Sequence, residues 1–237
     1  VTVKAVHLIA LLALLAADVP PVAVTPSDIV FEATFESLDA QAADRDEPLE
    51  GQLSGDGTLL DGGKLRLDAN ARLRFDDPTM IDLRRGAVSM DLSLNFDMDD
   101  APAPLHVLWC LQGTGDPRYM ARLYLLTGNP TLVFGVYQHD ERTWLYMVKT
   151  PIRWKPDEPH NVTVAWGGKT SLIVDGRIVS IARSEGLLTD AMLPDAVDLN
   201  DARLFVGPEV GRLSSGFTAD RFEIRNQTFR FADEEMD

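Results

Sequence analysis

Seven side chains on four consecutive apolar segments have the makings of a ligand site: His106, Gln112, Arg122, Tyr124, Tyr137, Trp144 and Tyr146. The segments Leu105–Gln112, Tyr119–Leu126, Thr131–Gln138 and Arg142–Lys149 read as strands joined by short turns. Alternate residues of a strand point the same way. One face then carries the seven residues together with Cys110, Arg118 and Arg142. The other carries Leu105, Val107, Trp109, Leu111, Tyr119, Ala121, Leu123, Leu125, Leu132, Phe134, Val136, Leu145 and Met147, which is a core. Flat rings beside guanidinium and amide forks suit a sugar or a peptide. The alternative is that Trp144 and Tyr146 pack beneath a loop as a second small core. A slip of one residue in any strand would exchange its faces.

Other chemistry finds less support. Glycoside hydrolysis by retention needs two carboxyl groups about 5–5.5 Å apart. Glu32 stands alone on its segment, and Asp91 has only Ser89 and Ser93 as same-face neighbours. The acidic runs Asp44/Asp46/Glu47 and Asp97/Asp99/Asp100 fall in loops. The Gly-x-Ser-x-Gly turn of serine hydrolases is absent. A single cysteine, Cys110, excludes an internal disulfide framework and a cysteine-rich zinc site. It alternates opposite Trp109, the place of a small buried hydrophobe. The sequons at Asn161 and Asn226 read as chance matches, since Asn161 opens a strand.

The elements that must hold such a face are strands throughout. Gly86–Phe96 alternates cleanly, with Val88, Met90, Leu92, Leu94 and Phe96 against Ser89, Asp91, Ser93 and Asn95. Asp28–Phe35, Lys64–Asp68, Arg72–Phe75, His160–Trp166, Ser171–Ile181, Arg203–Val206 and Phe217–Phe231 complete the set. Short strands at close spacing without intervening helices predict a sandwich or barrel. The chain has 237 residues, 45% hydrophobic and 25% charged, the balance of one globular unit. A net charge of −15 argues against nucleic acid as partner, because phosphates want a basic face. Leu8–Ala17 contains only Leu, Ile and Ala. That run is shorter than the roughly 20 residues of a membrane span. With Lys4 before it and Ala16-Ala17 at its end, it reads as a secretory signal peptide. The expected organisation is signal 1–17, linker 18–27, sandwich 28–231 and acidic tail 232–237, in a secreted or periplasmic protein with no membrane span after signal cleavage.

Three segments taken together resemble laminin-G-like domains of the concanavalin A-like lectin/glucanase superfamily. The first is Pro159-His160-Asn161-Val162-Thr163-Val164-Ala165-Trp166 followed, after Gly-Gly-Lys, by Leu172-Ile173-Val174-Asp175-Gly176-Arg177. In that family a Trp-His-x-Val strand precedes one ending in Val-Asp-Gly. Here His160 follows proline, and Trp154 lies six residues earlier. The second is Leu204-Phe205-Val206-Gly207 with Asp220-Arg221-Phe222-Glu223-Ile224-Arg225, similar to the closing strands. The third is Ile29-Val30-Phe31 to Phe35-Glu36-Ser37-Leu38-Asp39, similar to the opening strand and its acidic loop. The resemblance implies an all-β antiparallel jelly-roll β-sandwich. It also implies a calcium site where opening and closing strands meet, at Glu36, Asp39 and Asp220, since oxygen ligands suit a hard cation. The superfamily's Glu-x-Asp-x-x-Glu glucanase motif is missing, and Gln138-His139 lacks the spacer of the lyases' Gln-x-His. The expectation is an exported, non-catalytic module that binds carbohydrate or a glycan surface. A protein-binding adhesion module is the alternative, and a glycan hydrolase or lyase the third.

Overall fold

The computed structural model describes residues 29–76, 78, 86–113, 119–138, 143–166, 169–183, 202–209 and 214–226. The expected signal, linker and acidic tail, and the side chains of Arg118, Arg142, Trp144 and Tyr146, lie outside the described residues.

Among the described residues sixteen strands follow one another: β1 Ile29–Ala33, β2 Gln41–Ala42, β3 Gln52–Ser54, β4 Gly57–Leu60, β5 Lys64–Leu67, β6 Arg72–Asp76, β7 Gly86–Leu94, β8 Leu105–Gln112, β9 Tyr119–Leu126, β10 Thr131–Gln138, β11 Thr143–Pro151, β12 His160–Trp166, β13 Lys169–Val174, β14 Arg177–Arg183, β15 Arg203–Val206 and β16 Phe217–Arg225. They form two antiparallel sheets. The nine-stranded sheet runs β14-β13-β12-β7-β16-β1-β2, with β5 also pairing β16 and β4 pairing β5; the seven-stranded sheet runs β11-β10-β9-β8-β15-β6-β3. The chain passes between the sheets at β2–β3–β4, β5–β6–β7–β8, β11–β12 and β14–β15–β16, and the two sheets pack face to face as a sandwich.

Aromatic side chains tie the two sheets together across the core. Phe31 meets Phe75 edge-on at 5.1 Å, Trp109 meets Phe222 at 6.4 Å, and Phe134 stacks on Trp166 at 5.9 Å. Each pair joins one strand of each sheet, and such contacts contribute about 0.5–1.5 kcal/mol beyond area burial.

The expected segment Ser171–Ile181 is two strands, not one. Asp175 and Gly176 take φ of 52° and 74° and turn β13 into β14, the positive-φ turn that Asp-Gly favours. The family-like motif is itself a bonded unit. The Asp175 carboxylate accepts from the Asn161 backbone N–H at 2.9 Å and lies 2.9 Å from His160 Nδ1. Trp154 stacks on that histidine at 4.4 Å, so the displaced tryptophan still covers it.

Two β-bulges decide which way the site residues point. Between Val107 and Trp109, β8 has one residue more than β9 opposite. Leu108, Trp109 and Leu111 therefore face the core, whereas Val107 and Cys110 belong to a separate outer cluster. Between Ala219 and Arg221, β16 has one residue more than β7, and Asp220 is the extra one. Phe217 and Ala219 are buried on one side of it, Phe222 and Ile224 on the other, so the inward parity switches from odd to even. A bulge re-aims the side chains that follow it. Here it turns Arg221, Glu223 and Arg225 together to the outer face.

Candidate functional site

The expected ligand face on the seven-stranded sheet is largely a packed region. His106 is fully buried and stacks on Phe96 at 4.1 Å. The β8 bulge turns it inward, where Nε2 faces the Ala103 carbonyl at 3.0 Å and Nδ1 faces that of Ser215. Gly216, at φ 99°, permits this approach, because a Cβ there would stand 2.9 Å from the Phe96 ring. Burial pushes the His106 pKa down, and the two carbonyls offset only part of that. This histidine is an interior clasp, not a ligand group. Val107, expected in the main core, lies outward with Leu105, and Met147, also expected there, is exposed opposite Gly135.

Tyr124 is also buried. It packs with Val107, Cys110, Val133 and Phe205 in a second small core on the outer side of the sheet. Burial raises the pKa of its hydroxyl and drives that of the Cys110 thiol well above the ordinary range. Cys110 is the small buried hydrophobe its alternation suggests. Arg122 does not present its fork to solvent either: it pairs with Glu209, their side chains 14% and 7% exposed. Gln112 and Tyr137 remain half-buried. In the backbone ladder Trp144 lies opposite Tyr137, and Tyr146 opposite Val136. Of the seven expected ligand residues, His106, Tyr124 and Arg122 are thus interior or internally paired.

Glu36, Asp39 and Asp220 are not gathered around a common point. Asp220 instead pairs with Lys64 at 3.1 Å. Among the described residues no group of three or more His, Cys, Asp or Glu side chains could hold a metal ion.

The outer face of the nine-stranded sheet is different. Ser89, Asp91, Asn161, Thr163, Arg221, Glu223 and Arg225 line a recess of about 230 Å³. Strand register assembles it in rows. Thr163, Ser89, Glu223 and Glu32 stand side by side across β12, β7, β16 and β1; Asn161, Asp91 and Arg221 form the row beside them. At one end the side chains make a hydrogen-bond net of hydroxyls, an amide and the Asp91 carboxylate. Asn161 Nδ2 donates to Asp91 Oδ1 at 2.6 Å and to Ser89 Oγ at 3.3 Å, and the Ser89 and Thr163 hydroxyls are 2.9 Å apart.

At the other end charges interlock. Glu32 and Glu223 are directly opposed on neighbouring strands, which repels like charges. Arg221 bridges them, with Nε 2.9 Å from Glu32 Oε1 and 2.5 Å from Glu223 Oε1. Arg225 Nη2 donates to the second Glu223 oxygen at 2.6 Å. Desolvation works to lower the Arg221 pKa, but the contacts with Glu32 and Glu223 and the nearby Asp91 outweigh it and hold the guanidinium above its usual value. The Glu223 side chain is 6% exposed although it sits on an outer face. What the recess offers is hydroxyl, amide and carboxylate groups on a rigid sheet, with two carboxylates neutralised in place.

Sequence reasoning recognised Ser89 and Asp91 as part of a polar strand face. It missed the site because Arg221, Glu223 and Arg225 join it only through the β16 pairing and its bulge.

No protein-family model matches the chain, and no curated protein matches it by sequence. Solved structures do match in fold. The receptor-binding domain of botulinum neurotoxin D superposes with a TM-score of 0.61 at 11% identity, over 88% of this chain and 52% of that one. The serotype D ligand-binding domain in complex with N-acetylneuraminic acid gives 0.60 at 11% identity, over 88% and 50%. The botulinum neurotoxin DC binding domain in complex with SialylT gives 0.60 at 10%, over 89% and 50%. This chain thus spans about half the length of each. Identities this low speak for fold alone: the chain is an all-β, two-sheet antiparallel sandwich, similar in fold to about half of these receptor-binding domains.

Proposed function

We propose that the protein is a carbohydrate-binding module, exported, non-catalytic and laminin-G-like in its motifs, whose ligand lies in the recess over β12, β7 and β16. The recess itself carries this reading. Seven side chains that can donate or accept hydrogen bonds converge on one rigid outer face, the arrangement that fixes a polyhydroxylated ligand. Receptor-binding domains of the same fold form complexes with N-acetylneuraminic acid and SialylT, which supports a glycan as the class of partner. A glycosidase needs two carboxyl groups free to act on the glycosidic bond. Here Glu223 accepts from two guanidiniums, Glu32 from one, and Asp91 from an amide, which favours binding over hydrolysis.

The test is a glycan array with the wild-type protein and Asn161→Ala. Asn161 holds the Ser89–Asp91–Thr163 end of the recess through three side-chain hydrogen bonds. Saccharide binding that falls at least tenfold in the variant, with the fold retained by circular dichroism, is expected. Binding of equal strength in both proteins would move the site elsewhere, and no glycan bound by correctly folded wild type would defeat the reading.

A further inference from the structure

If the recess over β12, β7 and β16 is a glycan site, its charge layout selects among glycans. We infer that it takes neutral saccharides and rejects acidic ones, in contrast to the sialic-acid complex known for the similar toxin domain.

Both arginines at the recess face carboxylates of the chain. Arg221 directs Nε and Nη2 at Glu32, and Nε also at Glu223. Arg225 directs Nη2 at Glu223. A sugar carboxylate or sulfate is ordinarily gripped by an arginine fork, and here the Nε/Nη2 edge of Arg221 is already taken by Glu32 and Glu223. Glu223 is buried between two guanidiniums, so its displacement would leave charges without partners. Glu32 is the weaker guard, at 29% side-chain exposure. With Asp91 included, three carboxylates stand against two guanidiniums, on a chain whose net charge is already −15. An incoming anion meets a local and a global excess of negative charge, and like-charge juxtaposition rejects a wrong partner.

A neutral pyranose meets the opposite situation. Its hydroxyls can donate to the Asp91 carboxylate and exchange hydrogen bonds with Ser89 and Thr163. Among the described residues, those that line the recess are polar or charged, and recognition by them rests on hydrogen bonding.

The experiment pairs each neutral oligosaccharide on an array with its sialylated, sulfated or uronic-acid counterpart, for wild type and Glu32→Gln. The expected result is wild-type binding of neutral glycans at least about tenfold above their acidic counterparts. In Glu32→Gln the gap should narrow to a few-fold, because Arg221 loses its outer guard. Acidic glycans bound equally or better by wild type would overturn the inference and leave glycan binding intact. An unchanged gap in Glu32→Gln would overturn the role of Glu32 as the guard. Binding of no glycan at all would instead bring down the reading on which the inference rests.

Discussion

The two outer faces of the sandwich carry similar inventories and use them in opposite ways. Each has arginines, acids and small polar groups. On the seven-stranded sheet Arg122 and Glu209 pair beside Val107, Cys110, Tyr124, Val133 and Phe205, and the region is a second core. On the nine-stranded sheet Arg221, Glu32 and Glu223 pair beside Ser89, Asp91, Asn161 and Thr163, and a recess remains open. The neighbours decide the outcome. An ion pair surrounded by apolar side chains is a structural element, whereas one surrounded by hydroxyls and amides leaves polar surface for a ligand. Both faces also depend on a bulge, which turns His106 inward on one sheet and Arg221 outward on the other.

The strongest way to break this comparison is to shift the parity of a strand. Deleting Asp220 would leave Phe217, Ala219, Phe222 and Ile224 in strict alternation and all inward, whereas inserting one residue between Arg221 and Phe222 would turn Phe222 and Ile224 outward and Glu223 inward. Exposing two core side chains and burying a carboxylate costs a large part of the stability of a typical domain, about 5–15 kcal/mol. The insertion variant should show no cooperative unfolding transition, and the deletion variant should keep one. The reverse outcome would mean that the bulge does not act by switching parity.

Next in size is the buried ion pair. Glu209→Ala leaves Arg122 charged and enclosed. Removing one partner of a buried pair costs about 3–5 kcal/mol, and urea unfolding of wild type and variant should differ by roughly that amount. A loss below about 1 kcal/mol would return Arg122 to the surface and reopen this face as a ligand site.

What the amino-acid pattern revealed divides along the same line. The bounds of Leu105–Gln112, Tyr119–Leu126, Thr131–Gln138, His160–Trp166 and Arg203–Val206 are as alternation and turn residues predict. Existence and direction of these strands are local properties. The short β2, β3 and β4 escaped because two to four residues carry almost no period. Which face a side chain takes is local only between bulges, so β9 came out with its predicted core side while the first half of β8 came out inverted. One strand of the recess was legible as the polar alternation of Ser89 and Asp91. The charged half of the recess comes from β16, more than 50 residues further along the chain than β12, and no local signal joins them.

His106 offers a test through pH. Its pKa is lowered in the folded protein, so the fold prefers the neutral imidazole. That contribution is fully present above the unfolded value of about 6.5 and is lost as pH falls below it. Stability should therefore decline between pH 7.5 and 5.5, and less steeply in His106→Gln. Equal slopes in the two proteins would show that the ring is not enclosed as the β8 bulge requires.

The smallest effect belongs to the exposed pair. Lys64 and Asp220 lie 3.1 Å apart with 48% and 42% of their side chains exposed. Water screens such a pair, and ordering two mobile side chains offsets much of the attraction, so its contribution is about 0.5 kcal/mol. Lys64→Ala should shift the unfolding midpoint only slightly, and the shift should vanish in high salt. Set beside Glu209→Ala, this variant measures how far burial alone separates two ion pairs of the same molecule. A Lys64→Ala loss approaching that of Glu209→Ala would show that Asp220 is held by more than a surface contact. The bulge it occupies would then owe its position to charge as well as to the parity of Phe217 and Phe222.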